Sequence, residues 1–382
     1  MCRQVFNPSV VAKSVKSALS RVELNFNRLA GRELVPLKTK TINIETSSLC
    51  NLECVFCAYV KKSSPKVSMA DSFFHNCVEQ AIAMGYTQYE LTPCTGDVFM
   101  DRHLFNKFQF LEDHPAVEGY RFFTNFTIPK RSDVDRLTQL KKLKNVTVSI
   151  YGHDLPSFMA ITKSTEKVYN RLCSNLQALL DRLDQKHFNL DIGIRTVNNA
   201  PLRPTSDLME LVERFRERGI RARKAHVYNN WGGYVTQADV AGLAIDITGT
   251  ETVYKRGACI RLFTDYQIMA TGIVNGCACR DVDATLRIGD LNETPLHKIL
   301  SPENPSYMQL IEEQQRGEFR PVCKSCDYYK SIYHKRMTDR RYGTEFLSID
   351  EFKDSLRAAG SAASVVENLT KVLPPEPVTE KV

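Results

Sequence analysis

Between residues 40 and 228 the chain alternates two kinds of hydrophobic pattern. Short runs of period-two or β-branched and aromatic character predict strands at 40–46, 87–92, 119–124, 145–151, 189–197 and 222–228. Between them, apolar residues recurring every three or four positions predict helices at about 69–84, 102–113, 132–142, 165–184 and 205–218. This alternation implies an α/β fold of parallel strands joined by right-handed helical crossovers. Six strands are too few for a complete eight-fold barrel. Ligands of such sheets bind at the C-terminal ends of the strands, so chemistry is sought in the loop after each strand.

The flanks follow other patterns. Val10 to Leu29 is amphipathic, with Val11, Val15, Leu19, Val22 and Leu24 set among Lys13, Lys16 and Arg21. A basic amphipathic helix can lie on a membrane, but this apolar face is modest, and packing on its own domain is the expectation. Tyr228-Asn229-Asn230-Trp231-Gly232-Gly233 is a turn carrying the only tryptophan, expected to pack at a domain junction. Met269-Ala270-Thr271-Gly272-Ile273-Val274 predicts a hairpin, and a helix is predicted near 349–359. A basic run spans 335–341, and Leu373-Pro374-Pro375-Glu376-Pro377 is expected to be flexible. The resulting division is a helical extension (1–38), the alternating domain (39–235), a smaller domain (236–335) and a C-terminal helix and tail (336–382).

The first predicted strand runs into Cys50-Asn51-Leu52-Glu53-Cys54-Val55-Phe56-Cys57. Three thiolates on one tight loop can hold three corners of a 4Fe–4S cube and leave the fourth iron open to a small molecule. Zinc prefers a closed tetrahedral set, and no fourth Cys or His stands nearby. The spacing C-x3-C-x-aromatic-C, with Phe56 as the aromatic, resembles the signature of the radical S-adenosylmethionine (SAM) enzymes. That resemblance implies a partial (β/α)6 TIM-like barrel, SAM chelated at the open iron, and reductive cleavage of SAM to a 5′-deoxyadenosyl radical that takes a hydrogen atom from the substrate.

The resemblance continues around the strand ends. Thr95-Gly96-Asp97 is similar to the family's Gly-Gly-Glu, which holds the SAM amino group, with Thr for the first glycine and an acid one methylene shorter. Gly96 keeps the backbone freedom and Asp97 accepts from an ammonium; a turn capped by Asp97 is the other reading. Phe123-Thr124-Asn125 resembles Thr-Asn-Gly, with Phe126 at the glycine position. Val148-Ser149-Ile150-Tyr151-Gly152 resembles a Ser-x-x-Gly segment, which sets Ser149 toward the SAM ribose or carboxylate. Ile192-Gly193-Ile194-Arg195 sets Arg195 toward the carboxylate.

Cysteines return at Cys259, Cys277, Cys279, Cys323 and Cys326. With Gly-Ile-Val-x-x-Cys and Ile288-Gly289-Asp290-Leu291 between them, this segment resembles the SPASM or shorter Twitch extension of radical SAM enzymes. Cysteine count allows one auxiliary 4Fe–4S cluster, held by Cys259, Cys323, Cys326 and either Cys277 or Cys279; four thiolates also suit zinc. A fully ligated cluster implies electron transfer. Relatives with this extension oxidise an aminocyclitol alcohol, epimerise by returning a hydrogen atom from a cysteine, or modify peptides. Cys94, on the loop facing the SAM site, is the candidate hydrogen donor; Cys77 and Cys173 are read as small buried hydrophobes.

Bulk properties bound the rest. The 382 residues are 43% hydrophobic and 25% charged, ordinary for a globular protein. Twelve cysteines without a signal peptide suit metal ligation in the cytoplasm rather than disulfides. A scattered net charge of +7 does not argue for nucleic acid, and no apolar run spans a bilayer. Residues 1–38 are too short for a strand-and-helix peptide-recognition module and lack its alternating strands, so a small-molecule substrate is the expectation. The leading expectation is oxidation or epimerisation of a small carbohydrate-like metabolite, with a flavodoxin or ferredoxin as electron donor. A peptide-modifying enzyme and a zinc-stabilised scaffold are the alternatives.

Overall fold

The computed structural model describes residues 8–370 apart from 38, 93, 202, 226, 250–252 and 335–344, with side chains from 18 to 364. Cys2, the basic run at 335–341 and the proline-rich tail lie outside the described residues.

The strands are β1 (Val35–Pro36), β2 (Thr41–Ile44), β3 (Gln88–Glu90), β4 (Gly119–Thr124), β5 (Leu143–Tyr151), β6 (Asn189–Arg195), β7 (Arg221–Lys224), β8 (Gln267–Ile268), β9 (Ile273–Asn275), β10 (Arg287–Asp290) and β11 (Phe346–Leu347). One sheet takes the order β10-β9-β8-β2-β3-β4-β5-β6-β7, and β1 pairs with β11 apart from it. Strands β2 to β7 are parallel and neighbour one another in chain order. Crossovers of one hand between successive neighbours send the helices to one face and curl the sheet, which is the construction of a partial barrel.

The five predicted helices form as Asp71–Ala83, Leu104–Asp113, Arg131–Gln139, Glu166–Leu180 and Asp207–Glu217. Each turns an apolar stripe to the sheet, as Leu208, Leu211, Val212 and Phe215 do in the last. The run expected at 222–228 is shorter: β7 ends at Lys224, its residues no more than half-buried at the sheet edge, and Tyr228 makes only a bridge to Ile247. A helix at Leu155–Thr162 was not expected. Its start is set locally, by Asp154 accepting from the Ser157 amide at 2.9 Å.

The smaller domain joins the barrel sheet itself. β8 lies parallel to β2, and the expected hairpin, turning at Gly272 with φ of +94°, adds β9 and then β10. The main hydrophobic core consequently runs from Ile42 and Ile44 through Phe122 and Val148 to Leu262, Leu286 and Ile299. The N-terminal helix spans Pro8–Leu29; Leu24 and Asn27 are buried and Asn27 Nδ2 donates to the Tyr333 carbonyl, while Leu19, Val22, Phe26 and Leu29 are exposed. No helix among the described residues is long and apolar enough to cross a membrane.

Candidate metal centres at the strand ends

The loop carrying Cys50, Cys54 and Cys57 leaves the C-terminal end of β2, as the pattern predicted. Its path is pinned from two sides. The amides of Glu53 and Val55 donate to the Thr162 and Ile161 carbonyls, at the end of the unexpected helix, at 3.0 and 2.9 Å. The Tyr59 hydroxyl closes the other side, taking the Cys50 amide at 3.0 Å and donating to the Cys50 carbonyl at 3.1 Å. Sulfur itself receives donors: Asn125 Nδ2 lies 3.8 Å from Cys50 Sγ, and the Tyr59 amide lies 3.5 Å from Cys57 Sγ.

Burial pushes all three thiols up, Cys50 to about 12; the Asp97 carboxylate and then Cys57 add to the rise at Cys50, and Cys57 and Cys50 add to it at Cys54. Buried thiols that resist ionisation alone become good ligands once a cation shares the site, because a metal deprotonates what it binds. Arg195, at the end of β6, opposes the rise at Cys54 and Cys57. Three free thiols, amide donors aimed at sulfur and an arginine alongside are a donor set that fits an iron–sulfur cluster. Among the described residues, no three Cys, His, Asp or Glu side chains converge as one mononuclear ion requires. A cube sets its thiolates farther apart than a single ion does, because sulfides and irons lie between them.

Phe56 packs its ring on Tyr228 with centroids 4.5 Å apart and its carbonyl accepts from Trp231 Nε1 at 2.9 Å. The expected junction role of the tryptophan turn is therefore a specific one, holding the cluster loop against the segment that leaves the barrel. Gly96 has φ of +107°, and a Cβ there would meet the Ser47 carbonyl oxygen at 2.4 Å. Asp97 is buried and both its oxygens are engaged. Oδ2 accepts from the Asn125 amide at 2.7 Å, Oδ1 from the Phe99 amide at 3.0 Å, and the Thr124 hydroxyl reaches both. Burial raises its carboxyl to about 6 against these donors.

Asn125 braces the loop a second time through Asn51 Oδ1 at 2.9 Å. Phe126 follows it with φ of +58°, the left-handed conformation that favours glycine. Ser149 is buried in β5 beside Gly193 of β6. Thr95 is buried with its hydroxyl lacking a partner. Cys94 packs, with Cys57, on the small apolar cluster of Ala58, Trp231, Val235 and Val282. Burial raises its thiol, and the charges of Glu45, Lys62, Asp281 and Cys279 reach it.

All five later cysteines line one cavity, with Arg261, Gln314 and Tyr328. Gln314 Nε2 donates to Cys323 Sγ at 3.2 Å, and the Tyr328 amide to Cys326 Sγ at 3.2 Å. Cys277 and Cys279 both face it. Their mutual hydrogen bond and then Arg261 hold Cys279 down to about 7, while the same bond and burial drive Cys277 up.

Sequence reasoning missed Tyr59, Glu45, Lys62 and Asp283. Asp283 accepts from the Ser63 and Ser64 amides at 2.9 and 2.8 Å and from the Tyr234 hydroxyl at 2.7 Å, tying the smaller domain to the extension of the cluster loop. No local pattern marks a carboxylate whose partners lie far away in the chain.

Comparison with known proteins agrees with this arrangement. Residues 259–327 match the SPASM family model, an iron–sulfur cluster-binding domain. The fold is that of BtrN in complex with AdoMet and 2-DOIA (13% identity, 81% of this chain and 98% of that one, TM-score 0.50). It is also that of Streptococcus suis SuiB bound to precursor peptide SuiA (15% identity, 90% of this chain and 82% of that one, TM-score 0.53). No curated protein matches the sequence. A parallel partial barrel with a SPASM domain built onto its sheet is the class that fold and site define. The resemblance to radical SAM enzymes with a SPASM-type extension, drawn from the cysteine motifs, is borne out in fold and in domain.

Proposed function

We propose that this chain is a radical SAM enzyme that takes a hydrogen atom from a small, carbohydrate-like molecule, leading to its oxidation or epimerisation. The gathering of Cys50, Cys54 and Cys57 on one braced loop at the strand ends carries the reading. When bound, a cluster with an open iron supplies reductive cleavage of SAM to a hydrogen-abstracting radical. The chain's own residues do the rest. Asn125 and Tyr59 orient the thiolates, and Arg195 offers a cation for the SAM carboxylate. Phe56, Tyr228 and Trp231 wall one flank of the site against water.

The Asp283 clamp ties the smaller domain to the loop beyond Lys62, which favours an enclosed site and so a small substrate. BtrN binds 2-DOIA and SuiB a precursor peptide, so both substrate classes occur on this fold. Cys94 is the proposed hydrogen donor, and the SPASM cysteines the proposed electron acceptor site, with a flavodoxin or ferredoxin as reductant.

Anaerobic reconstitution tests this. About eight irons per chain are expected, falling to about four in a Cys50→Ala/Cys54→Ala/Cys57→Ala variant. Dithionite and SAM should yield 5′-deoxyadenosine from the wild type and none from that variant. A fully loaded wild type that leaves SAM intact would overturn the proposal.

A further inference from the structure

Between the N-terminal helix and the segment after Cys326 lies a cavity of about 290 Å³, walled by Arg21, Tyr254, Tyr328, Tyr329, Lys330 and His334 among others. Tyr328 and Tyr329 also wall the cavity of the five later cysteines, so the two cavities share a pair of rings. The Tyr328 amide donates to Cys326 Sγ at 3.2 Å, which sets that shared wall against the sulfur itself.

The cations at this cavity stack on rings. Arg21 and Arg256 lie 5.3 and 5.2 Å from the centroid of Tyr254, and Lys330 lies 5.1 Å from that of Tyr328. Stacking holds a guanidinium in place without cancelling its charge. Both arginines are exposed, and neither meets a carboxylate among the described residues. Lys255 turns its ammonium to the Cys323 and Lys324 carbonyls at 2.8 and 2.6 Å, dipoles again rather than an anion. Lys324 itself is exposed. Asp327, the acid in the cavity wall, is already engaged by the Asn230 amide at 3.1 Å and by Arg280 at 3.3 Å. What remains at the mouth is positive charge. Such a mouth concentrates and steers a partner of opposite sign. Its cations spread beyond the cavity to Arg256 and Lys324, farther than one small anion reaches, and tyrosine and arginine are side chains on which protein interfaces concentrate their energy.

We propose that this face is where an acidic one-electron carrier protein docks to draw an electron from the auxiliary cluster, with an acidic side chain of the carrier entering the cavity beside Tyr328. This rests on the preceding reading of the later cysteines as an electron acceptor site. In an oxidation, SAM cleavage takes one electron in, and the substrate radical gives one up as it loses a proton. The cluster that receives that electron must release it before the next turnover. At this face the cluster is oxidised by one electron and the carrier reduced by one, with no bond made or broken in the chain.

The test takes the full chain reconstituted with iron and sulfide, and uses oxidised flavodoxin, an acidic carrier, as the probe. Flavodoxin titrated in at low salt should bind, with affinity falling steeply as salt is raised. An Arg21→Glu/Arg256→Glu variant should bind it about tenfold more weakly, with iron content and dithionite-driven 5′-deoxyadenosine formation retained. In the Cys50→Ala/Cys54→Ala/Cys57→Ala background, which keeps only the later cluster, stopped-flow oxidation of the reduced cluster by flavodoxin should slow by a similar factor. Oxidation by hexaammineruthenium(III), a cation, should not slow. Should the double variant lose its iron, Lys324→Glu and the salt dependence of the wild type decide in its place. Binding that ignores both salt and charge reversal, equal slowing with the two oxidants, or retention on phosphatidylglycerol vesicles with none on flavodoxin would sink the proposal. A chain that binds flavodoxin here and passes it an electron yet leaves SAM intact would refute the radical reading and leave the docking face standing.

Discussion

Asp97 illustrates how a motif position acquires its meaning from its surroundings. The motif offers an acceptor for an ammonium or a cap for a turn, and in the folded chain its two oxygens take donors from Asn125, Thr124 and Phe99. It thereby ties the loop after β3 to the end of β4, next to the asparagine that reaches Cys50. Its raised carboxyl gives a pH signature with a definite sign. The unfolded chain releases this proton near 3.8 and the folded chain near about 6. Between those values the unfolded state is already charged while the folded state still holds its proton, so stability falls as pH rises through the window and is level above it. Denaturant unfolding of the cluster-free chain across that window should show the decline, and Asp97→Asn should flatten it.

At the scale of elements, the loop after β3 is held by contact between backbones. A Cβ on Gly96 would sit 2.4 Å from the Ser47 carbonyl, on the segment that feeds the cysteine loop, with φ at +107°. Neither the oxygen nor the dihedral yields cheaply. Gly96→Ala should cost about 1–3 kcal/mol in urea unfolding and lower the iron retained after reconstitution. The barrel elements were legible because period two and period 3.6 are local signals that five helices and five of six strands display cleanly. The helix at Leu155–Thr162 was not, being too short to show a period, and β7 was overextended because an edge strand carries little apolar pattern.

For the molecule as a whole, the SPASM segment is part of the barrel's sheet rather than an appendage. β8 pairs with β2, the Glu45 amide donates to the Ile268 carbonyl at 2.8 Å, and one core passes beneath both. Such sharing predicts a single cooperative transition. Thermal unfolding of the cluster-free chain followed by far-ultraviolet circular dichroism should coincide with that followed by the fluorescence of Trp231, the only tryptophan, which sits at the junction. Two separated transitions would mean that the domains fold independently.

The sequence by itself determined the α/β alternation and the two sets of cysteines. Periodicity is set within each element, and a cluster-binding loop compresses its ligands into eight residues, so both can be read locally. Tertiary structure alone decided that Cys277 and Cys279 face the same cavity, that Asp97 is already occupied, that Asp283 clamps Ser63 and Ser64, and that Glu45 and Lys62 are buried together without meeting. The chemistry of a carboxylate or an ammonium depends on which groups desolvate and approach it. Those groups arrive from distant parts of the chain, and only the folded sheet brings them together.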